Sequence, residues 1–208
     1  MVAGVLLAAG DGSRLGQPKA TVELHGMTLA DRGVALLRDG GADPVLVVTG
    51  AAPVTITGAR AVHNPDWASG MGSSLAAGLR ALLAVPGPSR DGDSLDGDSE
   101  IAAAVIALAD QPLIGAAAVR RLIVAYERGA GVAVAGYGGK PRNPVLIARA
   151  HWPAVLEMAA GDTGARPFLR AHPELVTVVE CGDTGSPEDI DTPADLARVR
   201  GVSRTRSA

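Results

Sequence analysis

Short aliphatic runs that stop abruptly in polar, glycine-bearing loops alternate along this chain with stretches of helical spacing. Residues 2–7, Val-Ala-Gly-Val-Leu-Leu, are apolar throughout, as expected of a strand covered on both faces. Similar runs at 44–49, 101–109, 132–135, 144–148 and 175–179 read as strands, with a weaker signal over 54–62. Between them, 28–38, 73–83, 116–128, 151–159 and 164–172 read as helices; Leu75, Leu79, Leu82 and Leu83 share one face of the second. A last helix has an explicit start signal, with Thr192 as N-cap, Pro193 at the first helical position and Asp195 three residues after the cap. The alternation predicts an α/β fold, a three-layer α/β/α sandwich around a mainly parallel sheet. In such sheets ligands bind beyond the carboxyl ends of the strands. The loops that begin where strands stop are therefore the places to look for chemistry.

Composition narrows the classes. The 208 residues include two Trp, two Tyr and one Phe, so the core must be built from Ala, Val, Leu and Ile. A net charge of −3, without a basic stripe, gives no pull toward nucleic acid. Cys181 is the only cysteine, which excludes an intrachain disulfide and a cysteine zinc cluster. Residues 1–9 are apolar but lack a basic leader, and no apolar run approaches the ~20 residues of a membrane span. A cytoplasmic location is expected, with no membrane partner. The stretch 85–100, rich in Pro, Gly, Ser and Asp, reads as a flexible acidic insertion without the spacing of a calcium loop. One domain is expected over 1–200, followed by a disordered tail over 201–208. His25, His63, His151 and His172 have no metal-ligand spacing.

Four segments carry chemistry. The first is Leu7-Ala8-Ala9-Gly10-Asp11-Gly12-Ser13-Arg14-Leu15-Gly16-Gln17-Pro18-Lys19. A glycine loop after a first strand lets backbone N–H groups approach a phosphate chain, while Arg14 and Lys19 supply positive charge. It is not a dinucleotide fingerprint, because position 15 is Leu, nor a Walker loop, because Lys19 follows Pro18. The second, from Asn64 through Trp67, Gly70 and Met71 to Ser73 and Ser74, is a loop feeding a helix. Its hydroxyls and free N–H groups suit a base or a ribose, although a plain helix cap by Ser73 or Ser74 fits equally. The third is Leu108-Ala109-Asp110-Gln111-Pro112, where an aspartate at the end of a buried strand suits a Mg²⁺ ion. The fourth runs from Asp189 to Leu196; Thr192 and Asp195 are explained by capping, whereas Asp191 is not. Between these, Arg142 in Tyr137–Val145 and Arg166 in Gly161–Arg166 are cations able to clamp a phosphate.

In this order the segments resemble the signature of the molybdenum cofactor (molybdopterin) cytidylyl- and guanylyltransferases, and the resemblance extends from Leu7 to about Leu196. It implies a Rossmann-like nucleotidyltransferase fold of the nucleotide-diphospho-sugar transferase type. It also implies nucleotide binding by Leu7, Ala8, Ala9, Gly10, Gly12, Ser13, Arg14, Lys19, Asn64, Gly70, Met71, Ser73, Ser74 and Asp110, with Arg14, Lys19 and Asp110 catalytic. Mg²⁺ would sit on Asp110 and Asp191, and the acceptor would meet Gln111, Arg142, Asn143, Pro144, Asp162 and Arg166. Arg142 stands where the family more commonly has glycine. The Leu-Ala-Ala-Gly opening and the Gly-Met-x-x-Ser segment resemble the cytidylyl branch, which implies CTP as donor and molybdopterin as acceptor. GTP, a sugar-phosphate-like acceptor, or a cofactor-binding chaperone in transient complex with a target molybdoenzyme are the alternatives.

Overall fold

In the computed structural model, which describes residues 1–54, 56–84 and 100–202, the aliphatic run Val2–Leu7 forms β1 at the middle of a seven-stranded sheet. The hairpin β2 (Glu23–Leu24) and β3 (Met27–Thr28) follows, then α1 (Leu29–Asp39) and β4 (Val45–Thr49). Next come β5 (Arg60–His63), α2 (Met71–Leu83), β6 (Ala103–Leu108) and α3 (Ala116–Glu127). The chain continues through β7 (Val132–Tyr137), β8 (Lys140–Ala148), α4 (Trp152–Met158), α5 (Arg166–Ala171), β9 (Val176–Glu180) and α6 (Pro193–Val202).

The strand order is β5-β4-β1-β6-β8-β7-β9. All neighbours are parallel except at β8, which runs against both β6 and β7. The sheet is mixed and mainly parallel. Successive residues of β1 serve opposite faces, as the pleat dictates. Leu6 packs with Val47, Val105, Val119 and Leu122 on one side, Val5 with Val48, Leu75, Leu79 and Trp152 on the other. A third cluster joins Leu15, Val22, Leu24 and Leu29 to Ile190, Leu196 and Val199, so the end of the chain packs on its beginning.

Local signals explain the helix starts. Thr28 caps α1 by accepting from the Asp31 N–H at 3.0 Å. At α6 the capping box closes as read: Thr192 Oγ1 accepts from Asp195 N at 3.2 Å and Asp195 Oδ2 from Thr192 N at 2.9 Å.

Differences from the sequence reading have physical causes. Of the signal over 54–62, the described residues form a strand at Arg60–His63. β8 starts at Lys140 rather than 144, because its polar first residues pair with Ala135–Tyr137 of β7, a tie that hydrophobic periodicity does not register. α2 starts at Met71 with Gly70 as N-cap, so Ser73 and Ser74 lie inside the helix rather than capping it. A disordered tail is expected over 201–208, but α6 runs on to Val202, so its first two residues are helical, while 203–208 lie outside the described residues. Of the acidic insertion, 85–99 likewise lie outside them; Glu100 is described, and its carbonyl accepts from the Met1 amine at 3.0 Å. Among the described residues no helix is long and apolar enough to cross a membrane.

Candidate active site

Leu7 and Leu108 are register partners in β1 and β6, so the loops leaving these two strands emerge side by side at the carboxyl edge. The first is shaped by its glycines. Gly12 has φ +63°, and a Cβ there would run into the Gln17 carbonyl oxygen. Its own carbonyl accepts from Leu15 N at 2.7 Å and Gly16 N at 2.9 Å, folding the loop back on itself. At Gly10, by contrast, a Cβ would meet no described atom within 4 Å. The chain's own packing does not require glycine there; it leaves the loop open to the cleft. Buried Leu15 and Ala20 anchor the segment on either side of Lys19.

The cleft has a volume of about 490 Å³. On its floor Lys19 Nζ donates to Asp110 Oδ2 at 2.7 Å and to Asp191 Oδ1 at 2.5 Å. Arg14 reaches the other oxygen of Asp191 at 3.0 Å. Desolvation acts to lower the Lys19 pKa, but the charges of Asp110 and Asp191 outweigh it and hold the ammonium above its ordinary range. The Lys19 hydrogen bond holds Asp191 below the usual carboxylate range, aided by Arg14. Asp110 Oδ1 is buried with no hydrogen-bond partner among the described residues. Asp189 adds a third carboxylate nearby, pushed up by desolvation and by the Asp110 charge.

The opposite wall comes from the turn Trp67–Ser69, then Gly70 and the first turn of α2. Gly70 has φ +112°, and a Cβ on it would collide with Gly161 and meet Asp162 Oδ1 at 2.6 Å. This close approach brings the 161–163 turn against α2 and Asp162 into the cleft.

Leu7, Ala8, Ala9, Gly10, Gly12, Ser13, Arg14, Lys19, Gly70, Met71, Ser74, Asp110, Asp162 and Asp191 line this one cleft. Asp162 thus stands among the residues read as nucleotide-binding rather than apart from them. Asn64 and Ser73 do not line it. Buried Asn64 donates to Ser73 Oγ at 2.9 Å and Ser74 Oγ at 3.1 Å and accepts from Asp66 N at 3.0 Å, which shapes the wall from behind. Gln111 turns away, donating to Asp189 Oδ1 at 2.8 Å and the Pro187 carbonyl at 3.1 Å. Arg142 is exposed and among the described residues donates only to the Pro141 carbonyl, at 3.2 Å, while Arg166 is exposed at the start of α5. Asn143 and Pro144 lie within β8. Because Val145 pairs with Ile106 in antiparallel register, the residues before it extend past the end of β6, toward the edge that carries Asp110. The sequence reading left out Trp67 and Asp11, which also line the cleft. Trp67 stands inside the second segment, where an aromatic in a glycine-rich loop is the available signal. A larger hollow of about 760 Å³ between α3 and β9 holds Arg120, Arg121 and Arg128 but no carboxylate.

Residues 4–176 match the MobA-like NTP transferase domain. The protein named nicotine blue oxidoreductase from Paenarthrobacter nicotinovorans is 36% identical over 212 residues, covering 95% of this chain and 96% of its own length. A probable molybdenum cofactor guanylyltransferase of Opitutus terrae is 49% identical over 47 residues, 23% of each chain. Among solved structures, the Mycobacterium sp. strain JC1 homolog of the Mycobacterium tuberculosis protein rv0371c superposes with a TM-score of 0.77 at 31% identity, covering 98% of this chain and 97% of that one.

Proposed function

The chain belongs to the MobA-like NTP transferase family, and from that membership and the geometry of its cleft we propose that it transfers CMP from CTP to molybdopterin. The observation that carries this reading is the convergence of Lys19, Arg14, Asp110 and Asp191 beneath an open glycine loop. A terminal phosphate oxygen of the acceptor attacks the α-phosphorus of CTP, the bond to the β-phosphate breaks, and pyrophosphate leaves in line. No covalent enzyme intermediate is needed. Loop N–H groups around Gly10 and Gly12 and the charges of Arg14 and Lys19 hold the triphosphate as charge develops on it. Asp162 and Trp67 face the nucleotide from the α2 side.

The residues present fit a divalent cation. Asp110 and Asp191 aim hard oxygen donors at one position, and Asp110 Oδ1 is a buried acceptor without a partner among the described residues. No three His, Cys, Asp or Glu side chains gather into a closed metal site among those residues, so phosphate oxygens and water would complete the shell, as Mg²⁺ prefers. When bound, Mg²⁺ would neutralise the α-phosphate and the leaving pyrophosphate. Arg142 and Asn143, at the same sheet edge, are assigned to the acceptor. One catalytic domain over 1–200, working in the cytoplasm, completes the proposal.

CTP is favoured over GTP by the Leu-Ala-Ala-Gly opening and the Gly-Met-x-x-Ser segment; the local likeness to a guanylyltransferase keeps GTP as the alternative donor. A second reading, an oxidoreductase, is favoured by the full-length likeness to the protein named nicotine blue oxidoreductase. Against it, Leu15 breaks the glycine spacing of a dinucleotide fingerprint. The test is pyrophosphate release with Mg²⁺, molybdopterin and each NTP in turn, beside NADH and NADPH oxidation with nicotine blue. Release with CTP supports the proposal, and release with GTP alone moves the donor. Dye reduction with no pyrophosphate from any NTP overturns it. Tight binding to a molybdoenzyme without turnover would make the protein a chaperone.

A further inference from the structure

Lys19 occupies the place where the two candidate metal ligands converge. Its ammonium binds Asp110 and Asp191 at once, and the Lys19 and Asp110 side chains are each only 20% exposed, so water screens the contact weakly. Two cations on the same pair of oxygens destabilise each other, since like charges a few ångströms apart repel strongly where screening is weak. A divalent cation therefore takes Asp110 Oδ2 and Asp191 Oδ1 together most favourably when the ammonium leaves them. The ammonium leaves cheaply only when another anion receives it, and the glycine loop that carries Lys19 is where a triphosphate would lie.

We propose that Lys19 is the resting counter-ion of Asp110 and Asp191, handed over to the triphosphate as the divalent cation takes its place. The inference rests on reading the cleft as an NTP and metal site. It gives Lys19 two opposed effects: it holds free metal off and draws nucleotide in. A metal-free triphosphate would strip Lys19 from two carboxylates and leave them uncompensated, so nucleotide and metal enter together.

The test separates the two effects. Mn²⁺ binding without nucleotide, followed by electron paramagnetic resonance of the free ion, should be about tenfold or more tighter in Lys19→Gln and Lys19→Met than in the unaltered protein. CTP binding in the presence of a chelator should be weaker in the same variants. Arg14→Gln should gain less Mn²⁺ affinity, because Arg14 touches Asp191 alone. The unaltered chain supplies a second measurement, since it has only two lysines, Lys19 and Lys140. In ¹⁵N ammonium NMR the Lys19 signal should move when CTP and Mg²⁺ are added together and stay in place with Mg²⁺ alone, with Lys140 as reference. Equal Mn²⁺ affinity in variant and unaltered protein, or a Lys19 signal that moves with Mg²⁺ alone, overturns the counter-ion role and leaves the metal site standing. Failure of every protein to bind Mn²⁺, with or without CTP, overturns the metal site itself and the inference with it.

Discussion

Capping of the last helix accounts for Thr192 and Asp195 in the sequence but leaves Asp191 beside them unexplained. In the folded chain it meets both cations of the glycine loop, at 2.5 Å and 3.0 Å. Its depressed pKa has a thermodynamic sign. The unfolded chain binds a proton that the folded one resists, so the interaction stabilises the fold above the ordinary aspartate value of about 3.9. That contribution disappears as pH falls through the lower folded value. Denaturant midpoints should place Asp191→Asn below the unaltered protein near neutral pH, and the gap should close in acid. A gap of constant size down to the lowest accessible pH would contradict this. Asp110→Ala should lower turnover by about 10²–10³ while leaving the circular dichroism spectrum unchanged. A fully active variant would remove Asp110 from the metal assignment. Arg14, Lys19 and Asp110 are legible because they stand in the glycine loop or at the end of a strand, and Asp191 because helix capping does not account for it. Asp189 was not identified as their neighbour, because its proximity to Asp110 is a product of the tertiary fold alone.

The elements were legible where burial is two-sided, as in β1, β4 and β6, whose uninterrupted aliphatic runs have few other uses. Elements fixed by polar pairing escaped. The hairpin β2–β3 and the first residues of β8 carry no apolar period for a sequence reading to find. The β7–β8 ribbon turns through Gly138 and Gly139, both with positive φ. A carboxylate outside the ribbon holds this turn: Glu180, at the end of β9, accepts from Gly182 N at 2.9 Å and from Gly138 N and Gly139 N at 3.2 Å each. These N–H groups, Gly182 first, hold its carboxyl below the usual range. Glu180→Ala should speed amide hydrogen exchange at Gly138 and Gly139 while CTP binding stays unchanged. Unaltered exchange at both amides would show that the turn holds itself.

At the scale of the molecule, α6 and the segment before it return to the start of the chain through Ile190, Leu196 and Val199. Ile190 is fully buried and adjoins Asp191, so packing and charge are coupled there. Ile190→Ala should cost about 2–5 kcal/mol in denaturant unfolding and should also weaken CTP–Mg²⁺ binding. Loss of stability with unchanged binding would show that Asp191 is positioned from elsewhere. The one strand that runs against its neighbours has a wider consequence. Because β8 begins at the edge where β1 and β6 end, the floor of the cleft comes from the chain before residue 111 and from Asp191, while the ribbon proposed for the acceptor comes from a later hairpin. The two are separate pieces of backbone, free to accumulate changes independently. A lineage built this way can keep one face of its cleft while exchanging the residues of the other.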